Sequence, residues 1–104
     1  MTEKTVALLL HRKHEFNVNT PAEEINNMQF DEEELKDRIK ALETFSNEFK
    51  DFEFIKMDTY LFDVVLYFKI NNAEQHSFED IFKLSSHLTD DDTNIELTAK
   101  IIGE

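Results

Sequence analysis

The sequence predicts an α+β fold for the whole chain, residues 1–104, read as one acidic domain. Four short segments are apolar or alternate between apolar and polar residues, as strands do, and two longer segments repeat apolar residues with helical spacing. The segments follow the order β-α-β-β-α-β, and the first and third strands are the most continuously apolar. This order predicts a ferredoxin-like, two-layer sandwich with a four-stranded, mainly antiparallel sheet, in which those two strands are central.

The first half of the chain predicts one strand, a short helix and a long helix. Residues 6–10 form a continuous apolar run, typical of a strand buried on both faces. Thr20 and Glu23 form a capping box around Pro21, which predicts an extra short helix after strand 1. Acidic residues at 31–34 suit the positive end of the next helix dipole. The apolar face of that long helix consists of Leu35, Ile39, Leu42, Phe45 and Phe49.

The second half predicts a hairpin, the second main helix and a last strand. Residues 52–57 predict an edge strand, and residues 60–70 alternate as a long strand with even-numbered side chains toward the helices. A turn at Asp58 and Thr59 would join them, although without glycine its tight geometry is strained. Residues 95–101 alternate as the last strand. Ser77 begins the second main helix, whose predicted apolar face consists of Phe78, Ile81, Phe82, Ser85 and Leu88.

Several chemistries are excluded by missing residue types. Without cysteine there is no disulfide, thiolate metal site or cysteine nucleophile. With Gly103 as the one glycine there is no Walker loop, dinucleotide fingerprint or nucleophile elbow. His11 and His14 would point to opposite faces of a strand, and residues 90–101 lack the glycine and glutamate of an EF-hand loop. We therefore predict no metal, no cofactor and no catalytic residue, and do not expect an enzyme.

The chain is expected in the cytoplasm, without membrane contact. No apolar run approaches the ~20 residues that span a bilayer. The apolar stretch that follows the first residues is short and is followed by basic residues, which is unlike a good secretory signal.

Acidity is the strongest compositional feature, with 23 acidic against 11 basic residues and a net charge of −12. Such a surface repels nucleic acid and anionic lipid, and it speeds association with basic partners by electrostatic steering. We therefore predict a basic protein partner and no direct nucleic-acid binding. Solubility alone is the simpler explanation of the charge.

The sharpest functional hypothesis is a small protein-binding module: an inhibitor or immunity-type protein, such as a DNA mimic, that masks a basic nucleic-acid-handling protein. Carboxylates along helix surfaces can imitate the phosphates of a duplex. Alternatively, Glu32 with Lys36 and Glu34 with Arg38 pair across one helical turn and leave a solvated face. The acids predicted to bind the partner are Glu23, Glu24, Asp31, Glu32, Glu33, Glu34, Asp37, Glu43, Glu48 and Asp51.

A hypothesis of a different class concerns the sheet. Helices cover one face of a two-layer sheet, so apolar residues on the other face predict association. The chain would then be a homodimer, an assembly component or a dimeric ligand-binding domain. Asp63 is interpreted either as an exposed acid paired with a base such as Lys69 or as a buried acid. The predicted self-association face consists of Leu9, Leu61, Asp63, Val65 and Tyr67.

Overall fold

The computed structural model describes residues 3–13, 18–27, 30–45, 49–60, 62–90 and 94–103. These residues form an α+β domain with four strands, three α-helices and a short 3₁₀ turn. The elements in chain order are β1 (Lys4–Arg12), α1 (Ala22–Asn27), α2 (Glu32–Phe45), β2 (Phe52–Thr59), β3 (Asp63–Ile70), the 3₁₀ turn (Ala73–Gln75), α3 (Phe78–Thr89) and β4 (Ile95–Gly103).

The four strands form one antiparallel sheet in the order β2-β3-β1-β4. Leu8 of β1 lies opposite Leu66 of β3 and opposite Ala99 of β4. The first and third strands are therefore the central pair, and β2 and β4 are the edges. The apolar character of β1 and β3 fits this place, because central strands remove the most apolar surface from water.

The hydrophobic core lies between one face of the sheet and helices α2 and α3, an arrangement compatible with a two-layer sandwich. On β1 and β3 the even-numbered side chains face the core, as the alternation of residues 60–70 predicted for β3. Ala7 and Leu9 of β1 are only partly buried, so the prediction that residues 6–10 are buried on both faces is wrong. Leu42 packs against the core but is only partly buried, and the Phe45 side chain lies outside the described part of the chain. Phe49 is buried, but it lies in a turn after α2, so its predicted place on that helix is wrong. The buried core residues are Val6, Leu8, Leu10, Leu35, Ile39, Phe49, Phe52, Val64, Leu66, Phe68, Ile70, Ile81, Leu84 and Leu88.

The hairpin between β2 and β3 turns later than predicted. Asp58 and Thr59 lie within β2, where they are paired with β3, so the turn expected at these residues is wrong. The Tyr60 N–H instead donates to the Asp63 carbonyl oxygen at 2.8 Å, so the chain reverses between these two residues.

Helix α3 begins where predicted, but two of its phenylalanines lie outside the core. The Ser77 N–H donates to the Asp80 carboxylate at 3.2 Å, one half of a capping box. Phe78 and Phe82 are each 47% exposed, so their predicted place on the core face is wrong. Residues in a helix are about 100° apart around its axis. The buried face of α3 is therefore rotated away from Phe78 and Phe82, and it includes Leu84 beside Ile81. None of the described helices is long and apolar enough to span a membrane.

Candidate functional site

The acids predicted to bind a partner are concentrated on α1 and α2. Glu23 and Glu24 lie in the first turn of α1, and residues 32–34 supply three acids to the first turn of α2. Asp31 precedes α2, where its carboxylate accepts the Glu34 N–H at 3.1 Å and caps the helix. All of these side chains are exposed.

Part of this acidic surface is neutralised within α2 itself. The Lys36 ammonium lies 3.0 Å from the Glu32 carboxylate, and the Arg38 guanidinium lies 2.7 Å from the Glu34 carboxylate. Both pairs have the four-residue spacing that the alternative interpretation predicted. Glu32 and Glu34 therefore contribute less open negative charge than the sequence alone suggests.

Arg38 also connects α2 to the end of α3. Its guanidinium lies 2.6 Å from the Asp90 carboxylate. The hydrogen bond to Asp90, followed by that to Glu34, raises the pKa of Arg38, and the bond to Arg38 lowers the pKa of Asp90. Asp90 is thus half of an ion pair, while Asp91 and Asp92 lie outside the described residues.

Glu33 and Asp37 keep their charge open to solvent. They are exposed, lie one helical turn apart on α2, and neither side chain makes an ion pair or hydrogen bond within the described residues. Like charges at this spacing repel each other, whereas the dipole of α2 favours the charge of Glu33, which lies in the first turn. We call Glu33 and Asp37 the α2 acidic pair. Glu23 of α1 is likewise exposed and unpaired among the described residues.

Two other predicted acids have internal partners. The Glu43 carboxylate accepts the Phe54 N–H at 3.4 Å, so it faces the start of β2. Asp51 is part-buried between Asn72 and His76, which removes it from the open acidic surface. Glu48 lies outside the described residues.

His76 is the centre of a part-buried polar cluster. Its Nε2 lies 2.9 Å from the Asp51 carboxylate, and its Nδ1 lies 3.0 Å from the Asp80 carboxylate. The histidine side chain is 14% exposed. The ring thus connects the segment before β2 to the first turn of α3. No sequence pattern pointed to this cluster, because Asp51 lies 25 positions from His76.

The electrostatics of the cluster favour a charged imidazolium. Burial acts to lower the His76 pKa, but the hydrogen bonds to Asp51 and Asp80 outweigh it, and the pKa is raised. The hydrogen bond from His76 lowers the pKa of Asp51. Burial acts to raise the pKa of Asp80, but the Ser77 N–H and His76 outweigh it, and that pKa is lowered. Both ring nitrogens are occupied, so the cluster stabilises structure and offers no free nitrogen for proton transfer.

This cluster predicts a pH-dependent stability. Because the His76 pKa is higher in the folded state, the charged histidine stabilises the fold. This contribution is complete below the unfolded-state pKa of about 6.5 and is lost as the pH rises through the folded-state pKa. The lowered carboxylate pKa values contribute above about 4 and are lost in acid. In urea denaturation, the unfolding free energy of the wild type should fall from pH 6 to pH 8.5 more than that of His76→Gln. His87→Gln, the control, should keep the wild-type decline. A His76→Gln profile parallel to wild type would contradict the prediction.

The sheet face opposite the helices carries the residues predicted for self-association. Leu9 lies directly opposite Val65 on this face, and both remain partly exposed. Tyr67 is also partly exposed, and the Lys56 ammonium lies over its ring, 4.7 Å from the centroid. Leu61 lies outside the described residues. In the described part of this face, the Lys56 side chain screens the Tyr67 ring.

Asp63 is an exposed acid with a different partner from the one proposed. Its side chain is 38% exposed and accepts a hydrogen bond from His11, its cross-strand neighbour. Lys69, the base considered from sequence, lies 3.3 Å from Glu3 instead. The interpretation of Asp63 as a buried acid is wrong.

Three other exposed apolar side chains lie on α3 and on the helix side of β4. Phe78 and Phe82 lie one turn apart on α3, and Ile101 of β4 is 40% exposed. Phe78 and Ile101 line a cavity of about 220 Å³, so the exposed flank of α3 borders the β4 edge. We call Phe78, Phe82 and Ile101 the α3–β4 patch. Helical spacing predicted Phe78 and Phe82 on the apolar face of α3, and Ile101 was predicted only as part of the alternating last strand.

A cleft of about 200 Å³ lies at the end of the sheet where α2 begins. The Arg12 guanidinium lies over the Phe30 ring there, 4.8 Å from the centroid. Arg38, which also lines the cleft, is already paired with two carboxylates. Among the described residues, no group of three histidine, aspartate or glutamate side chains is placed to hold a metal ion. His14 lies outside those residues.

Comparison with protein-family models, with curated proteins and with solved structures finds no match to this chain.

Proposed function

We propose that this chain is a protein-binding domain that acts as an inhibitor or immunity-type protein, masking a basic, nucleic-acid-handling protein. The observation that carries the proposal is the net charge of −12, which exceeds the roughly 2–8 charges that keep a small domain soluble. A charge of this size attracts basic surfaces and speeds their association.

The α2 acidic pair, Glu33 and Asp37, is the best-supported contact for such a partner. Both carboxylates are exposed and without an internal cation in the described structure. A basic side chain of the partner would therefore meet a carboxylate that does not first have to leave another ion pair. Glu23 offers a third site of the same kind on α1. A DNA mimic is the form of this proposal in which the carboxylates take the place of duplex phosphates.

A self-associating domain is the second candidate, of a different class. Leu9, Val65 and Tyr67 on the outer sheet face keep part of their apolar surface exposed, and the α3–β4 patch adds exposed apolar surface elsewhere. Contiguous exposed apolar residues are typical of association surfaces. This candidate would make the chain a homodimer, an assembly component or a dimeric ligand-binding domain.

The fold assignment that accompanies both candidates is ferredoxin-like. The strand order β2-β3-β1-β4 with antiparallel neighbours and the core between one sheet face and two helices support it. The assignment does not decide function, because this architecture serves many unrelated activities.

Charge reversal of the α2 acidic pair tests the inhibitor proposal. The immobilised wild-type chain should capture basic nucleic-acid-binding proteins from an extract of the source cells, and duplex DNA should displace them because it competes for the same basic surface. Glu33→Lys/Asp37→Lys should lose most of this capture, since each substitution replaces attraction with repulsion.

The matched control is Glu53→Lys/Asp58→Lys, which changes the net charge equally but lies on β2. It should retain most of the capture. If both variants lose capture equally, overall charge alone explains the binding, and the assignment of the contact to α2 is wrong. Capture of neutral or acidic proteins alone, with no displacement by DNA, would contradict the inhibitor function itself.

A further inference from the structure

The edge strand β4 has the features of a strand that pairs with another strand. It is nine residues long, Ile95–Gly103, and contains no proline. Its pairing with β1 is regular until a shift beside Val6, near its end. The opposite edge, β2, is interrupted in its middle by a shift between Phe54 and Lys56. Bulges and prolines protect edge strands from pairing, so β4 is the less protected edge.

The backbone of β4 offers hydrogen-bonding groups at regular positions along this edge. The Lys13 N–H donates to the Asn94 carbonyl oxygen at 2.7 Å, which extends the β1–β4 ladder by one residue. In an antiparallel ladder, hydrogen-bonded and non-hydrogen-bonded positions alternate. The N–H and C=O groups of Ile95, Leu97 and Ala99 therefore point away from β1, where the described residues place no further strand.

We propose that β4 pairs antiparallel with β4 of a second copy of this chain, about a two-fold axis at Thr98. The proposal goes beyond the binding of a basic partner and does not rest on it. Paired residues in an antiparallel ladder lie on the same face of the sheet. A symmetric pairing must therefore place odd-numbered residues opposite odd-numbered ones and even-numbered residues opposite even-numbered ones. The axis at Thr98 does so, and it places Leu97 opposite Ala99 of the second copy, where their outward backbone groups exchange hydrogen bonds.

Charge complementarity selects this register. With the axis at Thr98, Glu96 lies opposite Lys100 of the second copy, and Lys100 lies opposite its Glu96. Both side chains are exposed on the outer sheet face. The strand carries one acid and one base, so it is neutral within a chain of net charge −12. A second copy would therefore meet its own charges in complementary positions at this edge.

Apolar residues on the helix side match as well. The same register places Ile95 opposite Ile101 of the second copy, and Ile101 opposite its Ile95. The α3–β4 patch borders this edge, with Phe78 and Phe82 each 47% exposed. Pairing brings the same flank of the second copy toward these rings, which would cover apolar surface that the described residues of one chain leave exposed.

Charge exchange along β4 tests the proposal with substitutions on exposed side chains. The purified wild-type chain should sediment as a dimer at high micromolar concentration. Glu96→Lys and Lys100→Glu each create two like-charge pairs, so each should raise the dimer dissociation constant by about tenfold or more. The double exchange Glu96→Lys/Lys100→Glu restores both pairs and should recover the wild-type dimer.

Mixing the two single variants gives the sharpest readout. Glu96→Lys and Lys100→Glu chains complement each other at both positions, so the mixture should form a heterodimer tighter than either homodimer. A monomeric wild type would overturn the proposal. So would a dimer that ignores both charge variants but dissociates with Tyr67→Asp, since that result would place the contact on the outer sheet face. Circular dichroism of each variant separates loss of pairing from loss of fold.

Discussion

Leu8→Ala should lower the free energy of unfolding by about 3–5 kcal/mol, a large part of the stability of a small domain. Leu8 lies at the centre of β1, between Leu66 and Ala99, and it is 0% exposed. Removing its side chain leaves a cavity among well-packed neighbours, so the free-energy cost of lost packing adds to the cost of lost apolar burial. Chemical denaturation followed by circular dichroism measures the change.

Leu9→Ala is the matched control for this experiment. The substitution is the same and the position is adjacent, but Leu9 faces the outer side of the sheet and is only partly buried. Its cost should be about 1–2 kcal/mol, because part of the side chain is in water already. Equal costs at the two positions would contradict the assignment of the core to one sheet face.

Phe49→Ala should destabilise the fold by a similar amount, about 3–5 kcal/mol. Phe49 lies between α2 and β2 and is 3% exposed. Its ring meets Phe52 edge-to-face at a centroid distance of 5.9 Å and His87 at 5.3 Å. Such aromatic contacts contribute beyond the area they bury. Phe49→Leu should recover much of the loss, since it refills most of the volume.

Phe82→Ala is the control for the second experiment, because the same side chain is removed from a site that is 47% exposed. It should cost about 1 kcal/mol or less when measured on the monomer. A cost close to that of Phe49→Ala would mean that the α3–β4 patch is part of the core and not an open surface.

The elements and the central strands could be predicted because their signals are local. Continuous apolar residues mark β1, alternation marks β3, and capping residues mark the start of α3. The hairpin turn was misplaced because the polar residues Asp58 and Thr59 lie between two apolar segments, and no glycine or proline marks the true end of the strand. Periodicity locates an element more reliably than it locates the boundary of that element.

The surfaces could be predicted only in part, because they depend on which elements meet. Phe78 and Phe82 fit a helical apolar face as well as Leu84 does, and only the packing of α3 on the sheet decides which of them is buried. The cluster of Asp51, His76 and Asp80 joins segments that are distant in the sequence. The ion pairs of α2, in contrast, follow from four-residue spacing and were predicted as an alternative.

The salt dependence of partner binding tests the central claim of an acidic, protein-masking domain most directly. The association and dissociation rate constants of a captured basic partner can be measured by surface plasmon resonance from about 0.05 to about 0.3 M salt. The association rate should fall by about tenfold or more across this range, while the dissociation rate changes little. An association rate that does not change with salt, and is the same for Glu33→Lys/Asp37→Lys, would contradict the proposed function.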